Sequence, residues 1–382
     1  MKNTPEGSNK ICVLLNGAPL YRENIYVRMS NDLNCDFYVG SPVPKDGIKQ
    51  MNLSLLKNMK GYLKNHLFTK KDLCFQTNLW DKILSKNYKL YVMVGDVRYF
   101  SNYLAWLYLK LHPRKRLILW GHGYYGKERG LRYLITRYMM WVSSVYMVYG
   151  EYARNLLIGK GIAPHKVCVI YNSLDYDTQI EVRKMLKQTD VYKSHFENDN
   201  KNLIFIGRLT QVKRLDMILF SMKMLKKDGI NLNLTLVGDG VMCDSLVSMA
   251  KELNLFENIW FYGSCHDETT ISELLYNADL CVSPGNVGLT AMHSLMYGCP
   301  VITHDDFKWQ MPEFEAIREG VTGTYFERDN TISLTTNIAN WITTKIDRDN
   351  TREECYKEID SKWNPSIQIE IMRHLFEENL NS

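Results

Sequence analysis

The sequence predicts two doubly wound α/β domains. Three observations predict them. Short apolar runs alternate with longer amphipathic ones along the whole chain. The short runs are continuously apolar rather than alternating, and many stop at Gly, Asn or Asp. Strands of that kind are parallel and buried on both faces. The chain also has 382 residues, 45% hydrophobic by the AVILMFWYC count and 23% charged. That is enough apolar material for a core in each of two domains.

The strands expected in the first half are Ile11–Leu15, Phe37–Val39, Leu90–Val94, Leu117–Trp120, Tyr146–Tyr149 and Val167–Tyr171. Those of the second half are Leu203–Ile206, Leu232–Val237, Ile259–Tyr262, Leu280–Ser283, Val301–Thr303 and Gly323–Phe326. Between them lie helical patterns. Leu215, Ile218, Leu219, Met222 and Leu225 share one face, and Gly229 is a natural stop. Alternation of this kind argues for parallel, doubly wound sheets. The stretch Lys187–Lys201 is polar, and the boundary is placed there, giving domains 1–190 and 191–365. Residues 366–382 form a last amphipathic helix with Ile367, Ile369, Ile371 and Leu375, free to pack back on the first domain. Two such halves imply a cleft, with ligands beyond the C-terminal ends of the strands.

The opening residues MKNTPEGSNK are polar and lack the apolar core of a secretory signal. The longest uncharged run of the aromatic middle, Tyr138 to Gly150, has 13 residues, too few to span a bilayer. The nine cysteines are scattered without a Cys-x-x-Cys pair. Free thiols in a reducing cytoplasm explain them better than disulfides or zinc.

Net charge says more when divided. Residues 1–180 carry 26 Lys and Arg against 12 Asp and Glu, a net +14, and residues 181–382 carry 21 against 30, a net −9. The first half therefore expects an anionic partner. Its densest part is 101–150, with eight basic residues against Glu128 alone, interleaved with Tyr and Trp. Arg129, Arg132 and Arg137 mark this side as facing an acceptor or a membrane. Basic residues among interfacial aromatics suit peripheral contact with an anionic membrane, at the inner face of the cell membrane for a cytoplasmic chain. An ordinary helix pair with a solvated basic face is the plainer reading. Nucleic acid is disfavoured, since no binding motif accompanies the charge.

Gly207-Arg208-Leu209-Thr210-Gln211-Val212-Lys213 follows the strand Leu203–Ile206 and opens the amphipathic helix. Two cations beside free N–H groups make an anion site suited to a diphosphate. Alone, they could be two surface cations at a helix start. Pro284-Gly285-Asn286-Val287-Gly288-Leu289-Thr290 prepares a second helix N-terminus, where Gly288 lets the backbone approach a phosphate, or is a simple turn. Val237-Gly238-Asp239-Gly240 ends a strand too, but a lone Gly-x-Gly is weak, and Asp239 is as good a turn former as a ligand contact.

Taken in order, the pieces resemble the retaining, family 4 (group 1) glycosyltransferases of GT-B fold, with two Rossmann-like domains. GRLxxxK is followed by LTLVGDG, IWFYG, LLYNADLCVSPG, GL-xxx-H-SLMYGCPVIT and EAIREGVTG. The resemblance covers about 203–327 closely and the first half loosely. It implies that Arg208 and Lys213 bind the donor diphosphate and that the backbone of Gly288 and Leu289 meets its distal phosphate. It implies an acidic donor-side role for Glu315. Asn16-Gly17 resembles the glycine loop after the first strand, which places Gly17 on the donor side. Trp120-Gly121-His122-Gly123 resembles the loop whose histidine faces the donor sugar, which makes His122 the catalytic candidate. A satisfied structural histidine is the competing reading.

One departure is large. The family usually carries two glutamates separated by seven residues around the GL step. Gly285 and His293 stand there instead. His293 could still bond a ribose hydroxyl; Gly285 has no side chain to offer.

The expectation is a hexosyl-type transferase working with retention and without metal or other cofactor. It would move a sugar from a UDP- or GDP-sugar to an anionic, lipid-linked acceptor in cell-surface polysaccharide synthesis. Three rivals remain open. A metal-dependent transferase would use Asp175-Tyr176-Asp177 or Asp347-Arg348-Asp349. A dehydrogenase would need the dinucleotide fingerprint, which is missing. A non-catalytic nucleotide-sugar-binding partner would need no glutamates.

Overall fold

A computed structural model describes residues 10–41, 49–68, 73–344 and 347–381. The polar stretch 1–9 lies outside them. The chain forms two compact units, Met1–Asp175 with Asn364–Ser382, and Tyr176–Trp363.

The first unit holds a sheet of eight strands among the described residues. They are β1 (Ile11–Leu15), β2 (Cys35–Gly40), β3 (Met59–Phe68), β4 (Leu73–Thr77), β5 (Leu90–Val94), β6 (Arg116–Trp120), β7 (Val145–Val148) and β8 (Val167–Val169), in the order β4-β3-β2-β1-β5-β6-β7-β8. Every pairing is parallel except β3 with β4. The second unit holds β9 (Lys201–Ile206), β10 (Leu232–Val237), β11 (Ile259–Gly263), β12 (Leu280–Val282), β13 (Val301–His304) and β14 (Gly323–Phe326), in the order β11-β10-β9-β12-β13-β14. All of its pairings are parallel.

The twelve runs predicted from continuous apolarity are all strands. The antiparallel hairpin β3–β4 escaped that rule, because β3 buries only Leu63 of its ten residues. It lies between β2 and the edge strand β4, with one face exposed and the other only half-buried, so it has no apolar run to announce it.

Alternate residues of β1 serve opposite layers. Ile11, Val13 and Leu15 face a cluster with Ile25, Met29, Met372 and Phe376. Cys12 and Leu14 face another with Trp106, Leu109 and Met140. The last helix, Pro365–Asn381, completes the first layer against Glu23–Asp32. Gln368 ties it down, donating to Tyr171 O at 2.9 Å and accepting from Ser173 Oγ at 2.5 Å.

The break between units falls after Asp175, before the boundary placed at 190/191. The polar stretch taken as the boundary carries a helix, Val191–Phe196. Its buried Tyr192 donates to Leu274 O at 2.7 Å, and Thr189 N donates to Asn277 Oδ1 at 2.9 Å. A polar composition hid one well-placed aromatic anchor.

In each sheet the strand order reverses once. The reversal lies between β1 and β5 in one, and between β9 and β12 in the other. Loops leaving neighbouring strands part there, which opens a crevice at their C-terminal ends. All nine cysteines are free thiols, six of them buried. Among the described residues no helix is long and apolar enough to cross a membrane.

Candidate functional site

At the reversal in the second unit, β9 delivers Gly207 and Arg208, and β12 delivers the loop 283–288. Arg208 is exposed. Lys213 closes a short 3-10 turn, Gln211–Lys213. The sequence placed both cations at the mouth of a helix; the helix in fact begins at Asp216. Arg214, in a left-handed conformation at φ 50°, interrupts the chain and pairs with Asp216. The cations therefore sit on the loop before the helix.

That loop is fastened to the next one. Lys213 O accepts from Gly285 N at 3.0 Å, and Lys213 Nζ donates to Asn286 O at 2.5 Å. Burial lowers the Lys213 pKa to about 8; Arg208 adds to the shift and Glu313 opposes it. Gly285 is obligatory here, since a Cβ would meet Val212 O at 1.9 Å. Gly288, at φ 55° and ψ −145°, turns the chain into the helix Leu289–Met296. The turn is held by Val287 N donating to Gln310 Oε1 at 2.8 Å. Among the described residues the N–H groups of Gly288 and Leu289 meet no protein acceptor. They are available to an anion.

His293 is engaged. Its Nε2 lies 2.8 Å from Glu268 Oε1, which also accepts from Tyr297 at 2.6 Å and Gln179 at 2.9 Å. Burial works to raise the Glu268 carboxyl, but these partners outweigh it and hold it at about 2. A carboxylate thus stands beside position 293 after all, supplied from the start of the helix Glu268–Asn277. Buried Glu313 acts on Lys213, whereas Glu315 acts on Tyr325. Neither Glu268 nor Glu313 carries a local signal; only the fold brings them in.

At the reversal in the first unit, a cavity of about 380 Å³ opens beyond β1, β5 and β6. Asn16, Gly17, Asp96, His122 and Arg132 line it. Of the three arginines singled out, Arg132 reaches it. Arg129 precedes the helix Gly130–Val142, and Arg137 donates to Tyr133 Oη at 3.3 Å. Glu128 holds the loop after His122 by accepting from Tyr125 N at 3.0 Å and Gly126 N at 2.9 Å. The His122 ring stacks on Tyr125, and its Nδ1 is buried without a hydrogen-bond partner. Burial first, and then the charge of Arg22, lower its pKa to about 4, with Asp96 opposing. It is a neutral imidazole at ordinary pH.

Arg22 carries no signal in the sequence. Arg22 lies in the cavity wall, hydrogen-bonded to Tyr149 Oη, with its guanidinium 5.0 Å from the ring centres of both Trp120 and Tyr149.

The aspartate pairs have other partners. Asp347 caps the helix Arg348–Lys362, Asp349 pairs with Arg352 at 2.7 Å, and Asp175 accepts from Asn24 at 2.7 Å.

Two parallel α/β units, each with a single reversal of strand order and a loop site at it, define the GT-B architecture. Residues 187–358, just under half of the chain, match the family model for glycosyl transferases group 1. Among curated relatives, the chain is 26% identical over 175 residues to an uncharacterized 41.2 kDa protein in the cps region of Klebsiella pneumoniae, covering 45% of this chain and 44% of that one. It is 28% identical over 150 residues to an uncharacterized glycosyltransferase of Methanocaldococcus jannaschii, 36% of each. The matches thus span less than half the length of these relatives. Solved structures agree over nearly the whole fold. HepE of Anabaena in complex with UDP has a TM-score of 0.69 at 13% identity, covering 96% of this chain and 99% of that one. The lipopolysaccharide outer core galactosyltransferase WaaB has 0.68 at 13%, covering 97% and 99%.

Proposed function

We propose that the chain is a retaining, metal-independent glycosyltransferase. It takes a hexosyl group from a UDP- or GDP-sugar and passes it to an anionic, lipid-linked acceptor of polysaccharide synthesis. The observation that carries this reading is the fastening of Lys213 to the Gly285–Gly288 turn. It gathers a half-buried cation, the exposed guanidinium of Arg208 and the open N–H groups of Gly288 and Leu289 in one place. A diphosphate meets that set as a leaving group.

In the proposed reaction the bond from the sugar C1 to the diphosphate oxygen breaks, and a bond from C1 to the acceptor oxygen forms on the same face. The acceptor proton passes to the departing phosphate oxygen. Arg208 and Lys213 stabilise the charge that develops there. His122, neutral, positions a sugar hydroxyl and is not assigned as a base. The first unit binds the acceptor, and the second binds the donor. That the fold matches a structure solved with UDP, and that one relative lies in a cps region, support the donor and pathway classes.

The experiment is a panel of nucleotide sugars, with transfer and donor hydrolysis read by mass spectrometry, repeated on Arg208→Ala. Loss of one charge-assisted contact should weaken nucleotide binding about 10- to 100-fold and reduce turnover at least as much. Unchanged turnover in that variant would falsify the diphosphate assignment. A second reading, nucleotide-sugar binding without catalysis, draws on the absent side chain at Gly285 and the engagement of His293 by Glu268. Tight UDP binding with no turnover of any donor would favour it.

A further inference from the structure

We propose that the cavity of the first unit is a subsite for a sugar bearing an oxyanion, and that Arg22 is the residue that reads the charge. It rests on the transfer reading for one word only, that this sugar is the acceptor.

Arg22 stands on the turn Leu20–Arg22 that follows β1. Its guanidinium lies against the rings of Trp120 and Tyr149 and hydrogen-bonds the Tyr149 hydroxyl. Among the described residues it has no carboxylate within ion-pair distance. The two carboxylates that line the same cavity are already committed. Asp96 pairs with Arg98 at 2.8 Å, and Glu128 accepts two backbone N–H groups. A half-buried cation without a counter-charge has lost part of its hydration, and aromatic faces offset only part of that cost. The wall therefore presents an unbalanced positive charge. Most of the five guanidinium N–H donors remain unused.

The neighbouring groups suit the rest of a sugar. Both side-chain atoms of the Asn16 amide and Nδ1 of His122 are buried without partners. Three neutral donor or acceptor positions thus line the same cavity as Arg22, with Arg132 a second cation in its wall and Arg98 neutralised by Asp96. Neutral groups match hydroxyls; the guanidinium matches a carboxylate or phosphate, which it can grip through two N–H bonds. A volume of about 380 Å³ lies in the range of small-ligand sites.

The test titrates the full chain with three probes by calorimetry: methyl α-glucoside, methyl α-glucuronide and glucose 6-phosphate. The wild type should bind at least one charged probe about tenfold more tightly than the neutral one. The two charged arms tell carboxylate from phosphate. In Arg22→Met that preference should vanish while the neutral sugar binds as before, and Arg22→Lys should keep part of it. If Arg22→Met fails to fold, Tyr149→Phe keeps the ring and removes the hydroxyl that fixes the guanidinium; it should lose about threefold for the charged probe alone. Equal binding of charged and neutral probes, a preference that survives in Arg22→Met, or failure of all three probes to bind overturns the proposal. UDP and GDP titrated into the same protein judge the donor reading separately. Absence of binding of both beside an Arg22-dependent sugar preference would sink transfer and leave this subsite standing.

Discussion

Lys213 and Arg208 lie close enough in sequence for their spacing to suggest a diphosphate site, yet their environments differ. Arg208 is exposed, while Lys213 is half-buried and its pKa is lowered to about 8. Lys213 is charged below that pH. Nucleotide affinity should therefore hold from pH 6 to about 8, then fall by up to tenfold per unit above it. Calorimetry of UDP across pH 7–10 reads this, and Lys213→Met should flatten the curve. The Gly285 position makes a different point. A side chain there meets the Val212 carbonyl, so placing a carboxylate there with Gly285→Glu should not improve activity. Gly285→Ala alone should cost about 3 kcal/mol or more in denaturant unfolding. His122 and His304 form a third case. Burial lowers both to about 4, each with an arginine adding to the shift. Their unfolded forms take up protons below about 6.5, so the unfolded chain binds more protons between 6.5 and 4. Stability should fall through that window by at most about 3 kcal/mol per histidine and gain no further loss from them below it. Replacing His304 with Gln should shrink the loss, as melting curves at pH 7, 5.5 and 4.5 would show.

At the level of elements, the continuous apolar runs named twelve strands and their direction, because burial on both faces leaves no room for polar residues. The same rule could not see β3, which buries a single residue, or the edge strand β4 beside it. The last helix illustrates how packing corrects periodicity. Ile369 and Leu375 are buried as expected, but Met372 and Phe376 take the core positions, and Ile367 and Ile371 are only half-buried. Phe376→Ala should cost about 3–5 kcal/mol and Met372→Ala about 2–5. Urea unfolding would read both. A cost below 1 kcal/mol in both would mean that this helix does not belong to the core of the first unit.

For the molecule as a whole, charge is divided between its halves, +14 over residues 1–180. The structure adds apolar side chains to that basic surface. Leu104, Leu131, Leu134 and Trp141 are each more than half exposed, and Lys110 Nζ lies 5.9 Å from the centre of the Trp141 ring. We propose that this face rests on an anionic bilayer. The chain should sediment with phosphatidylglycerol vesicles at low salt and be released at high salt, and Leu134→Ser with Trp141→Ser should weaken retention without altering UDP affinity. Equal retention by the variant would argue for a solvated basic face instead.

By itself the sequence determined the class of fold, the parallel strands, the loop that carries Arg208 and Lys213, and the charge difference between halves. Each is a local or compositional property, set by periodicity within one segment. Tertiary structure alone decided where the units divide, that Glu268 supplies the carboxylate beside His293, that Glu313 acts on Lys213, and that Arg22 lies unpaired in a cavity with Asn16 and His122. The reason is physical. Those groups come from elements that are not neighbours in sequence, and only the packing within each unit brings them together.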